Sequence, residues 1–169
     1  MAEPANRTTR DTARSMRAAA RLAALQALYQ MEMTGTSLKT CEMEFENRWI
    51  GAEIEGEQYN EADIDHFRAL LRGAVANQAR IDQMTRDALV AKWPLAKIDP
   101  TLRALFRAAG AELLTTKTPP KVAISEFVDV AKAFFDDARV PRFVNAVLDH
   151  MARVARPEAF RRDPMPTSD

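Results

Sequence analysis

Apolar residues recur every three or four positions along most of this chain, which is the spacing of one face of an α-helix. The clearest case lies between Pro119 and Ala152, where two such patterns are separated by a polar joint at residues 136–139. The first apolar face comprises Ile124, Phe127, Val128, Ala131, Phe134 and Phe135. The second comprises Phe143, Val144, Val147, Leu148 and Met151. The pattern predicts two antiparallel helices that bury these faces in a core.

Five more helices are predicted upstream of this pair. Helix-forming residues without Gly or Pro predict the first, and Gly35 is its expected stop. A capping acid followed by proline, Asp99-Pro100, marks the start of the fifth. The five predicted helices cover roughly residues 12–33, 37–54, 61–77, 81–89 and 100–116. No alternating strand pattern is present, so we expect an all-α fold, a compact bundle of about seven helices.

The same patterns suggest where the folded domain begins and ends. Residues 1–11 are small, polar or basic and show no apolar periodicity, which predicts a flexible basic arm. Residues 12–156 are expected to form one helical domain. Residues 157–169 contain three prolines in a mostly polar sequence and are expected to be a disordered tail.

Composition excludes several classes of protein. No apolar run reaches the roughly 18 to 20 residues of a membrane span, and no secretory signal is present. A single cysteine, Cys41, suits the reducing cytoplasm. Two histidines and one cysteine are too few for an ordinary zinc site, and no nucleotide-binding or hydrolase motif occurs. We therefore expect no metal, no cofactor and no catalytic site, and we favour a binding protein over an enzyme.

The net charge of zero conceals segments of opposite charge. Residues 42–65 carry nine acids and a single base, Arg48, whereas the N-terminal region is rich in arginine. Arginines occur at positions 7, 10, 14, 17 and 21. On a helix these five would lie within an arc of roughly 80°. Such a stripe is either a solvated basic face or the binding surface for a polyanion.

An aromatic residue stands beside a base at the start of the seventh predicted helix. Phe143 follows Arg142 and could stack on an unpaired nucleotide base, an interaction worth about 1–3 kcal/mol. The alternative is that Phe143 is a core residue, since it belongs to the apolar face of its helix.

The run KVAI at 121–124, Ala131-Lys132 and the motif RFVNAVLD at 142–149 resemble the NusB family of bacterial transcription antitermination factors. Supporting matches include Ala27-Leu28-Tyr29 and Ile98-Asp99, and the similarity extends from about Arg14 to Arg156. The resemblance implies a fold of two three-helix halves. It also implies binding to single-stranded boxA RNA of ribosomal RNA leader transcripts, with the ribosomal protein NusE, in an antitermination complex of RNA polymerase and other Nus factors.

Specific residues follow from the resemblance. Arg14, Arg17 and Arg21 match the basic arm of the family, and Lys132, Arg142 and Phe143 match its RNA-facing region. Together with Arg10 of the arginine stripe and Arg139 of the joint, they are the candidate RNA-binding residues. Tyr29 and Asp99 match positions that the family uses toward NusE. Asp99 could also serve only as a helix cap. The joint at 136–139 is one residue longer than is usual in the family, and Ser125 stands where Asn is usual.

Two other interpretations remain open. In the first, the chain is a helical adaptor that binds only proteins, and its basic stripe meets an acidic partner. In the second, a NusB-like domain precedes a methyltransferase, but the residues after Met151 are too few to build one. The sequence also leaves open whether the chain is a monomer or a homodimer.

Overall fold

The computed structural model describes residues 4–50, 61–89 and 95–161, which fold into helices and contain no strand. The helices are α1 (Pro4–Thr34), α2 (Leu38–Ile50), α3 (Glu61–Ala76), α4 (Gln78–Ala88), α5 (Pro100–Thr115), α6 (Pro120–Phe134) and α7 (Arg139–Ala155). Short 3₁₀ turns occur at Leu95–Lys97 and Pro157–Phe160. The predicted all-α class with about seven helices is confirmed.

Helix α5 lies between two groups of helices. The first group is α1, α2 and α3, and the second is α4, α6 and α7. Helix α5 packs against α1 and α3 from the first group and against α4, α6 and α7 from the second. Small residues on α5, such as Ala104, Ala108 and Ala111, are fully buried and let the neighbouring helices approach closely. At Gly110 the approach is closest, because a Cβ there would lie 2.5 Å from Ile81 Cγ2. The two halves therefore share one core built around α5.

Local signals set the helix ends where the sequence predicts them. Gly35 has a φ of 71° and its N–H donates to Met31 O, so a left-handed residue ends α1. Asp99 caps α5, because its Oδ1 accepts from Thr101 N at 2.7 Å. Pro120 opens α6, and Pro141 lies in the first turn of α7.

Helical structure extends beyond residues 12–156 at both ends. The first helix begins at Pro4 rather than near residue 12, because no Gly or Pro interrupts the chain until Gly35. Residues 4–11 are thus helical, and residues 1–3 lie outside the described part. The tail is ordered as far as Phe160, whose ring packs on the core and lies 4.6 Å from the Arg153 guanidinium. Residues 162–169 lie outside the described part.

One predicted core position is also wrong. Phe134 was expected on the buried face of α6, but it is 42% exposed. It is the last residue of its helix, and the next residue, Phe135, packs on the core instead. Phe127, in the middle of the same helix, is fully buried as predicted.

Candidate nucleic-acid interface

The N-terminal half of α1 presents an exposed row of arginines. Arg10, Arg14 and Arg17 all lie on the helix and are exposed to solvent. Because α1 starts at Pro4, Arg10 belongs to the same helical face as the other two, and the stripe is longer than a helix beginning near residue 12 would allow. Among the described residues, Arg10 and Arg17 have no acidic partner. Their charges are therefore available to an anionic ligand.

Arg21 does not belong to this exposed row, so the prediction that it faces RNA is wrong. It is 2% exposed and lies against α5. Its Nε and Nη2 donate to the two carboxylate oxygens of Glu112 at 2.7 and 2.8 Å. A fully buried carboxylate requires a cation and hydrogen-bond donors, and Arg21 supplies both. The residue is thus part of the core.

The Arg21–Glu112 pair controls the ionisation of Glu112. Burial alone would raise the pKa of this carboxyl group, but the hydrogen bonds and charges of Arg21 and His66 together outweigh burial and lower the pKa to about 2. His66 on α3 adds to this effect, since its Nε2 lies 3.5 Å from Glu112 Oε2. Glu112 is consequently a charged group in the interior, held between α1 and α3.

A second carboxylate, Glu126 on α6, connects this interior pair to the exposed arginines. Its Oε1 accepts from Arg14 Nε at 3.2 Å, and its Oε2 lies 3.7 Å from Arg21 Nη1. Glu126 lies six residues before Lys132 on α6, about 9 Å along the helix axis. The contact therefore holds the arginine row of α1 against the helix that carries Lys132.

The joint between α6 and α7 carries the remaining predicted bases. Arg139 is exposed and binds the carboxylate of Asp137, with Nη2 at 2.8 Å from Oδ2. These hydrogen bonds from the side chain and the backbone N–H of Arg139 lower the pKa of Asp137 to about 2. Lys132 lies 3.7 Å from Asp129. Arg142, in contrast, is exposed and has no acidic partner among the described residues.

The ring of Phe143 is only partly accessible to a nucleotide base. It is half-buried and meets Phe106 edge to face, with the ring centroids 6.2 Å apart. Both interpretations of this residue are therefore partly met: Phe143 packs on the core and still reaches the surface beside Arg142. Its stacking on a base remains a prediction.

Tyr29, one of the two predicted NusE-binding residues, lies at the other end of α1. Tyr29 is 38% exposed, and Met33, one turn further, is 54% exposed. Glu32 between them joins α1 to α5, with its Oε1 2.9 Å from Arg103 Nε and its Oε2 3.0 Å from Arg107 Nη1. Arg103 follows Asp99 by one turn of α5, so Tyr29 and Asp99 lie at the same end of the bundle.

Sequence reasoning missed the two buried acids that bind arginines of α1: Glu112 binds Arg21, and Glu126 binds Arg14. Glu112 lies three residues after Ala109 and seven after Leu105, on the apolar face of α5. Glu126 likewise precedes Phe127 at a buried position of α6. An acid within an apolar helical face signals a buried cationic partner, and that signal was present in the sequence.

No group of three or more possible metal ligands occurs among the described residues. No described helix is both long and apolar enough to span a membrane.

The sequence model of the NusB family matches residues 18–153. The chain belongs to the NusB family. The transcription antitermination protein NusB of Nitrobacter hamburgensis is 47% identical over 153 residues, which cover 90% of this chain and 95% of that protein. The protein of the same name from Mesorhizobium japonicum is 46% identical over 148 residues, 87% of this chain and 95% of its own length.

Solved structures agree with this assignment of the fold. T. maritima NusB is 32% identical and superposes with a TM-score of 0.68 over 85% of this chain and 96% of its own. A NusB chain crystallised with NusE and double-stranded RNA has 22% identity and a TM-score of 0.66, and covers 83% of this chain and 98% of its own. At that identity the second structure supports the NusB fold alone.

Proposed function

We propose that this protein is a transcription antitermination factor. It binds the boxA RNA of ribosomal RNA leader transcripts together with the ribosomal protein NusE and acts on RNA polymerase with other Nus factors. Family membership, the names of its relatives and a NusB fold solved with NusE and RNA support this proposal. It acts as a binding protein without catalysis, in the cytoplasm where bacterial transcripts are made.

The observation that carries the proposal is the set of exposed arginines without acidic partners. A basic face that served only solubility would be expected to interleave with acids at helical spacing, as Arg153 does with Asp149 at 2.9 Å on α7. Arg10, Arg17 and Arg142 show no such pairing within the described residues. Guanidinium groups bind phosphate through two parallel hydrogen bonds, so RNA phosphates are suitable ligands for these arginines.

The RNA-binding residues in this proposal are Arg10, Arg14, Arg17, Lys132, Arg139, Arg142 and Phe143, without Arg21. The NusE-binding residues are Tyr29 and Asp99. Asp99 fills its capping role with one carboxylate oxygen, Oδ1, while the residue itself is exposed. The cap therefore does not prevent contact with a partner.

The test is fluorescence anisotropy with labelled boxA RNA and a scrambled RNA, at two salt concentrations, with and without NusE. If about three to five phosphates are contacted, log K should fall against log salt with a slope of about −2 to −3.5. Arg17→Ala and Arg142→Ala should each weaken binding and reduce the slope by about 0.7.

Arg80→Ala is the matched control, because Arg80 is also exposed but lies on α4, outside the candidate interface. Its effect should be small. Absence of RNA binding even with NusE present would overturn the proposal and leave a helical adaptor that binds only proteins.

A further inference from the structure

The exposed arginine Arg14 is held by a buried acid. The side chain of Arg14 is 72% exposed, whereas that of Glu126, its partner, is 11% exposed. Their contact, 3.2 Å between Arg14 Nε and Glu126 Oε1, joins α1 to α6 across 112 positions of sequence. The neighbouring Arg17 has no acidic partner among the described residues. One arginine of the row is thus restrained and the next is not.

Glu126 is not the principal partner of the buried Arg21. Glu112 binds that guanidinium with two hydrogen bonds of 2.7 and 2.8 Å, whereas Glu126 Oε2 stays 3.7 Å from Arg21 Nη1. Loss of the Glu126 charge would leave Arg21 with Glu112. The closest contact of the Glu126 carboxylate is therefore the one to Arg14.

We propose that Glu126 is a positioning residue that competes with RNA phosphate for Arg14 and thereby limits the strength of RNA binding. A carboxylate and a phosphate bind the same N–H donors of a guanidinium group, so Arg14 must release Glu126 to bind phosphate fully. The negative charge of Glu126, next to the arginine row, also repels the RNA backbone. This inference rests on the proposed function.

The test compares Glu126→Gln with the wild-type protein in the boxA anisotropy assay at low salt. The pair is partly exposed, so releasing Arg14 should tighten RNA binding by about 2- to 5-fold. The matched control is Glu44→Gln, which removes the same charge from an exposed acid of α2 that hydrogen-bonds to Gln30. The control should leave the affinity within a factor of about 1.5.

The dependence on Arg14 is tested in the Arg14→Ala background. There Glu126→Gln should change the affinity by less than half as much, on a logarithmic scale, as it does in the wild type. An equal gain in both backgrounds would mean that Glu126 acts only by general repulsion of RNA and would overturn the proposal. Unchanged or weaker binding by Glu126→Gln would overturn it as well.

Glu126→Asp provides a second variant if the Gln variant unfolds, as judged by circular dichroism. It keeps the negative charge but shortens the side chain by one methylene, which withdraws the carboxylate from Arg14. It should also tighten RNA binding, whereas general repulsion predicts no change. If the wild-type protein binds boxA and neither variant tightens binding, this inference fails while the proposed function stands. If the wild-type protein binds no RNA, the proposed function fails first.

Discussion

The buried Arg21–Glu112 pair allows the sharpest test of the structure. Arg21→Met replaces the guanidinium with an apolar chain of similar length and leaves Glu112, which is fully buried, without its main partner. Removing one member of a buried ion pair costs about 3–5 kcal/mol of unfolding free energy. The variant should therefore be markedly less stable than the wild type.

The pKa of Glu112 predicts how the stability depends on pH. Its fall from the ordinary value of 4.5 to about 2 corresponds to about 3 kcal/mol of preference for the ionised form in the folded state. Because the folded pKa is the lower one, this stability is fully present above about pH 4.5. It is lost as the pH falls toward 2, since the unfolded chain takes up the proton first.

Urea unfolding monitored by circular dichroism measures both effects. At pH 7, Arg21→Met should lose about 3–5 kcal/mol, and the double variant Arg21→Met/Glu112→Leu should regain most of it, because no buried charge is left unpaired. Between pH 5 and pH 2 the double variant should lose about 3 kcal/mol less stability than the wild type. A loss below about 1 kcal/mol in Arg21→Met, together with weaker RNA binding, would refute the buried position of Arg21.

Three further changes test the packing around α5. The guanidinium of Arg156 donates to four backbone carbonyls at and just beyond the C-terminal end of α5. Arg156→Ala should therefore lower the free energy of unfolding, measured in urea, by about 2–3 kcal/mol. The control Arg161→Ala should change it little. Gly110→Ala should cost about 1–3 kcal/mol in the same assay because its Cβ would overlap Ile81, and an unchanged stability would contradict the close approach of α4 and α5. Asp99→Ala should lower the melting temperature through loss of about 1 kcal/mol of capping, and Asp99→Asn should restore it; a partner contact would show as weaker NusE binding by both variants.

Helix ends were predictable because their signals are local. Gly35 ends α1 through its left-handed backbone, and Asp99 starts α5 through a hydrogen bond two residues away. Neither depends on what the rest of the chain does. The start of α1 was placed too late because residues 4–11 lack an apolar pattern, although nothing in them interrupts a helix.

The position of Arg21 was not predictable from the spacing of the arginines. Periodicity shows that Arg14, Arg17 and Arg21 share a helical face, but it does not show how far along that face another helix extends. Here Glu112 of α5 binds Arg21, and α5 ends three residues later at Thr115. Arg10, Arg14 and Arg17 therefore lie beyond the end of α5 and stay exposed. Whether each arginine is buried or exposed depends on tertiary packing. The sequence feature that indicated a buried arginine was the acid on the apolar face of α5.

The two candidate surfaces lie at opposite ends of α1. Arg10 and Tyr29 are nineteen residues apart on one continuous helix, which separates them by about 28 Å along its axis. Residues at that distance share no contacts, and their effects on binding are expected to be independent. If boxA RNA and NusE strengthen each other's binding, we therefore expect the coupling to arise where the two ligands touch one another, because the arginine row and the face around Tyr29 do not meet on this protein.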